Sequence, residues 1–190
     1  MERVSKFSSL RLVLSAGCFL LILNWTLAGS AWRKAESSLL YWSFTHHLFF
    51  FLIPALMVWL NRDRRSRYGF RTQGASRYWK PVCFTCLPLL SVPAIVSIFA
   101  PIRVSETFAT YPIATIMFQL VMVAAGEEIF FRGFCQGELN HAHGKPWRLG
   151  QVNFGWGVLA IALMFGIGHM LNPFSPLQGD YSLSIRGLVL

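Results

Sequence analysis

The stretch that decides the fold is Ile113-Ala114-Thr115-Ile116-Met117-Phe118-Gln119-Leu120-Val121-Met122-Val123-Ala124-Ala125-Gly126-Glu127-Glu128-Ile129-Phe130-Phe131-Arg132. From Ile113 to Ala125 only Thr115 and Gln119 are polar, an apolar run of more than three helical turns. Three charges then follow within one short segment. A charge inside a membrane span costs roughly 3 kcal/mol on insertion scales, so Glu127, Glu128 and Arg132 need a reason to be there. On a helix Glu128 and Arg132 stand i,i+4 with the acid first, the favourable order for an ion pair. Glu127 projects about 100° away from Glu128 and has no local cation on its own face. One carboxylate is thereby paired and the other sits in low dielectric beside a like charge. Two carboxyls in such different surroundings supply a general base or acid, and Glu127 is the candidate for activating water. The competing reading is a helix end near Glu127, with Arg132 snorkelling and both acids solvated. The amphipathic continuation Gly133–Leu139 permits it.

Outward from this stretch, the whole chain is greasy. Of its 190 residues 54% are apolar and 13% charged, with mean hydropathy +0.48. A soluble domain is about 45–50% apolar and about 25% charged, so a soluble enzyme is disfavoured and disorder is excluded. The fold class expected is all-α, a multi-pass transmembrane helix bundle forming one membrane domain over 1–190. Residues 1–112 supply three spans and 113–190 a chemical core. A span needs roughly 17–25 mostly apolar residues. The expected spans are Leu12–Ala31, Leu39–Leu60, Pro81–Ile102, Ile113 into Glu128, and Phe154–Leu171, with a sixth starting at Leu183.

The chain carries 17 Lys+Arg against 8 Asp+Glu, a net charge of +9. In a soluble protein this would suggest nucleic acid. Here the cations fall between apolar runs, so topology and anionic lipid are the better reading, with no nucleic-acid partner. Alternate connections hold twelve basic residues on one side, most of them in Asn61–Lys80, and three on the other. The positive-inside rule places the N-terminus and Asn61–Lys80 in the cytoplasm, as in a bacterial inner-membrane protein. Reading the first span as a signal peptide cleaved near Ala28-Gly29-Ser30 is the alternative. The charge alternation already works with that segment kept.

His169 lies in Phe165-Gly166-Ile167-Gly168-His169, near the end of the fifth span. A lone histidine there is more often a satisfied interior group. The flanking glycines, however, are residues that let helices approach closely, and an imidazole presented to a neighbouring helix can orient water or give a proton to a leaving amine. With straight, centred helices Glu127 and His169 would differ in depth by ~10–15 Å. A shared site therefore demands a shift, a tilt, or a bend at Gly126 or Gly133.

Glu127-Glu128-x-x-x-Arg132 and Phe165-x-x-x-His169 together resemble the E-E-x-x-x-R and F-x-x-x-H motifs of the CAAX-protease and bacteriocin-processing (abortive-infection) family of intramembrane proteases. The resemblance covers roughly Ile113–Leu190. It implies a glutamate-type endopeptidase in the bilayer, with Glu127 polarising the attacking water and Glu128 and Arg132 supporting it. His169 would bind that water or stabilise the oxyanion. Substrates would be membrane-presented peptide or protein tails, prenylated or carrying a sorting signal. The chain has no H-E-x-x-H, and Glu plus His is a thin ligand set for zinc, so no metal or cofactor is expected. The family's third motif, a His with Asn or Asp four residues apart, should follow His169 by several tens of residues. The expectation is therefore a truncated or degenerate chain of reduced activity. Non-catalytic immunity or scaffolding, and a transporter using Glu127 and Glu128 as an ion site, are the rival functions.

Other features carry less. Cys83-x-x-Cys86 lacks a redox context, and Cys18 and Cys135 lie in apolar segments, so packing explains them. His46-His47 fall on the second span, out of the family's order. His141-Ala142-His143 reads as a solvated loop. The tryptophans near span ends form an aromatic belt.

Overall fold

A computed structural model describes residues 2–40, 42–60, 62, 64–69, 110–150 and 152–185. Helix α1 runs Glu2–Leu27, α2 Ala31–Leu40, α3 Phe44–Leu60 and the single turn α4 Arg64–Arg67. Helix α5 is continuous over Pro112–His143. A two-stranded antiparallel hairpin follows, β1 Trp147–Leu149 and β2 Val152–Phe154, and then helix α6, Trp156–Met170. The chain is thus predominantly helical, with this small hairpin added to the all-α expectation.

Two helices are long and apolar enough to cross a bilayer, Phe7–Leu27 and Pro112–His143, or three if α2 and α3 form one broken span. Leucines line their outer faces: Leu10 on α1, Leu52 and Leu56 on α3, and Leu120 on α5 are exposed. The buried side chains gather between the helices, where Val13, Phe50, Phe130, Phe134 and Ile161 meet. Apolar both inside and out, this is a membrane protein.

The spans differ from expectation in instructive ways. The second divides into α2, ending at Leu40, and α3, starting at Phe44, which meet at 98°. Buried Glu36 explains the elbow. Its Oε1 accepts hydrogen bonds from the Thr45 backbone N–H at 2.6 Å and from Thr45 Oγ1 at 2.8 Å, so an anion satisfies orphan donors at the start of α3. The fifth span starts at Trp156 rather than Phe154, because residues 152–154 belong to the hairpin. α1 ends at Leu27, short of Ala31. Pro81–Ile102 and Cys83-x-x-Cys86 lie outside the described residues, as does most of the sixth segment.

The fourth span shows the largest difference. α5 continues sixteen residues past Glu127 to His143, so the charge cluster does not mark a helix end. His141 and His143 accordingly sit on its last turn instead of in a loop. Through Phe118–Ala125 and Glu128–Cys135 the backbone adopts the wide, i→i+5 π-helical winding, which occurs often at functional sites. Gly126 and Glu127 lie between these two stretches. A Cβ at Gly126 would stand 3.0 Å from the Phe51 ring, so this glycine serves close approach of α3 and α5.

The two ends of the bundle are tied separately. At one end Glu138, nearly fully buried, accepts hydrogen bonds from Ser9 Oγ at 3.2 Å and Tyr68 Oη at 2.8 Å. This joins α1, the segment after α4, and α5. At the other end Trp42 stacks on Phe118 and its Nε1 donates to Thr115 Oγ1 at 3.1 Å. There too Trp25 meets Phe174 edge-on, and the Gln178 amide donates to the Ala28 carbonyl. The beginning of α1, residues 64–69 and the end of α5 therefore share one end, the grouping that the basic connections lead one to expect.

Candidate active site

Between α1, α3, α5 and α6 lies a cavity of about 580 Å³. Glu127 and His169 both line it. The packing of α5 against α6 explains why. Gly157, near the start of α6, faces Gln136 and Asn140 of α5: a Cβ there would lie 2.6 Å from Asn140 Oδ1 and 2.9 Å from the Gln136 carbonyl. Eight residues along α6, the Phe165 ring meets Phe131 edge-on at 5.3 Å. Four further residues reach His169, and four back along α5 reach Glu127. The antiparallel register levels the two groups without a bend at Gly133. The expected mismatch in depth arose from centring a span that in fact extends to His143.

The second motif has a local logic. His169 Nδ1 lies 3.1 Å from the Phe165 carbonyl. A carbonyl can only accept, so Nδ1 carries the proton and Nε2 is the ring nitrogen left for the cavity. The Phe165 ring packs on the imidazole with centroids 4.2 Å apart. The backbone carbonyl at 165, which any residue would supply, sets the tautomer, and the phenylalanine ring sets the plane of the imidazole. Gly168 opens onto the cavity, with nothing within 4 Å of a Cβ built there. It makes room at the site; the close helix approach falls instead to Gly157.

Glu128 and Arg132 are elsewhere. They form the expected i,i+4 ion pair, at 3.3 Å, with side chains 56% and 72% exposed respectively. Neither lines the cavity, although the Glu128 charge is felt at Glu127 electrostatically, as is His169. The four residues singled out from sequence therefore divide into a facing pair, Glu127 with His169, and an outward pair, Glu128 with Arg132.

The cavity also gathers residues that sequence reasoning set aside. His46 and His47 of α3 line it together with Asn24, Arg33 and Gln119. His47 Nδ1 lies 3.1 Å from the Ser43 carbonyl, repeating the His169 arrangement. Arg33 Nη1 donates to Asn24 Oδ1 at 3.2 Å. The available signal was two adjacent histidines in an apolar span, which are costly there unless they serve a purpose. Among the described residues, no three His, Cys, Asp or Glu side chains are grouped to hold a metal ion.

A sequence model described as Rce1-like, type II CAAX prenyl endopeptidase Rce1-like, matches residues 109–190. No curated protein and no solved structure matches the chain.

Proposed function

We propose, for a chain whose residues 109–190 belong to the Rce1-like family of type II CAAX prenyl endopeptidases, that it hydrolyses peptide bonds within the membrane. Its substrates would be the tails of membrane-presented proteins, prenylated or carrying a sorting signal. The observation that carries this reading is the shared cavity of Glu127 and His169.

In the proposed reaction Glu127 takes a proton from water, and the hydroxide adds to the scissile carbonyl. With Nδ1 donating to the Phe165 carbonyl, His169 Nε2 accepts a hydrogen bond from the attacking water and orients it. Collapse breaks the C–N bond, and the proton on Glu127 passes to the leaving amine. Arg33 lines the cavity as a cationic donor for the negative tetrahedral oxygen, and a preorganised donor at a developing oxyanion is worth about 10²–10³ in rate. Glu128 and Arg132 act at a distance, holding the helical turn and the local field. Residence in a bacterial inner membrane with the N-terminus cytoplasmic is part of the same proposal, supported by the distribution of basic residues.

The test is cleavage of a fluorogenic, membrane-anchored reporter by the full chain in proteoliposomes. Glu127→Gln is expected to abolish cleavage with expression and monodispersity intact. Retained cleavage refutes Glu127 as the base. Absence of cleavage by the unaltered chain favours the immunity or scaffolding reading, and a Glu127-dependent ion flux favours a transporter.

A further inference from the structure

A second recess, of about 320 Å³, opens at the end of the bundle where Ser9, Tyr68 and Glu138 meet. Three permanent cations line it, Arg67 after α3, Arg132 on α5 and Lys145 just beyond α5, together with Gln136, Asn140 and His141. No carboxylate is among its described lining residues. Glu138, on the same stretch of α5, is turned inward and held by Ser9 and Tyr68. Glu128 engages Arg132 through Nη1, and a guanidinium has further donors to offer. The recess exists because Gly137 lets the backbone after α3 come close: a Cβ there would stand 2.7 Å from the Arg67 carbonyl.

We propose that this recess binds the phosphodiester of an anionic phospholipid headgroup. Its chemistry is that of a phosphate site, with two guanidinium groups and an ammonium converging and side-chain amides beside them. Its level on the bundle selects the lipid as the source. Glu127 falls midway along the 32-residue α5, and Gln136 to His141 stand at most roughly 14–21 Å beyond it at the α-helical rise of 1.5 Å per residue, less where the winding is wider. Half the hydrocarbon core is ~15 Å, so the cations sit at headgroup depth. The adjoining Trp147 ring lies 4.6 Å from Trp156 and 5.7 Å from Phe154, an aromatic cluster of the kind that marks this boundary. Basic pockets between helices at this level suit anionic headgroups. The proposal is independent of the catalytic reading, because it requires neither Glu127 nor His169.

The test is lipid retention by the full chain in detergent, read by native mass spectrometry with phosphatidylglycerol and phosphatidylcholine in competition. Phosphatidylglycerol is expected to be retained preferentially. Lys145→Gln should weaken it about fivefold, and Arg67→Gln with Lys145→Gln about 25-fold. Arg67→Lys with Lys145→Arg keeps the charge and should retain the lipid. Arg148→Gln, which lies outside the recess, should change nothing. Equal retention of the two lipids, or unchanged retention in the exposed single variant Lys145→Gln, overturns the proposal. Displacement of the lipid by millimolar inorganic phosphate assigns the recess to a soluble phosphate and overturns the lipid source.

Discussion

The ring of Phe165 meets that of Phe131 edge-on with centroids 5.3 Å apart, four residues before His169 on one helix and four after Glu127 on the other. This contact sets the level at which an acid and an imidazole face one cavity. Phe131→Ala should therefore lower reporter cleavage about 100-fold, the scale of a 1 Å misplacement in an active site. Phe131→Leu, which keeps bulk at the contact, should retain most of the activity. The measurement is kcat in proteoliposomes, with thermal stability recorded in parallel. Full activity in Phe131→Ala would show that the register is set elsewhere.

Two glycines on α6 should respond oppositely to a methyl group. At Gly157 the added carbon meets Asn140 Oδ1 at 2.6 Å and the Gln136 carbonyl at 2.9 Å. Overpacking of this kind costs about 1–3 kcal/mol, so Gly157→Ala should lower the melting temperature in detergent. At Gly168 nothing lies within 4 Å. Gly168→Ala should leave the melting temperature in place and raise KM by narrowing the cavity beside His169.

The Tyr68–Glu138 hydrogen bond, at 2.8 Å, fastens the segment after α3 to α5 from within. Hydrogen bonds to charged groups contribute about 1.5–3 kcal/mol. Tyr68→Phe should reduce stability by that amount, measured by denaturation in mixed micelles. An unchanged midpoint would mean that the carboxylate is satisfied without the phenol.

Outside the membrane segments, Asp180 accepts hydrogen bonds from Ser182 Oγ at 2.7 Å and Ser182 N at 2.9 Å. These hold its carboxyl below the usual range, the side-chain bond having the larger effect. The folded pKa is depressed, so the contribution to the turn is present above the ordinary Asp value of about 3.9 and fades as pH falls through the lowered pKa. Ser182→Ala should return the carboxyl titration toward the ordinary value, followed by carbon-detected NMR. No movement would mean that the backbone bond alone sets it.

What the sequence made legible was local. The ion pair of Glu128 and Arg132 follows from helical spacing, and the two observed membrane-length helices follow from apolar runs. The separate facing of Glu127 is a matter of angle on one helix. What stayed hidden depends on packing between distant segments. The elbow between α2 and α3 rests on Glu36 reaching Thr45, nine positions away around a corner, although Ser43 ahead of Phe44 is a residue type that opens helices. The extension of α5 to His143 was obscured because the amphipathic continuation Gly133–Leu139 permitted a helix end near Glu127. Gln136 and Asn140 are instead what α6 presses against, and Gly137 is where the Arg67 backbone comes close. His46 and His47 were set aside on their order in the chain, which has no bearing on who shares a cavity.

The walls of the larger cavity come from both ends of the sequence: Leu14, Leu21, His47 and Phe50 on one side, Glu127, Phe131, Phe165 and His169 on the other. Under the proposed function, the Glu127–His169 pair and much of the lining around it are thereby encoded on different stretches of the chain. Substitutions among the first sixty residues can reshape what the pocket admits while the reacting pair keeps its geometry. Such a division would let the proposed hydrolytic pair be retargeted by drift in its neighbours, and chimaeras exchanging only the leading helices are the proteins in which that freedom would be seen.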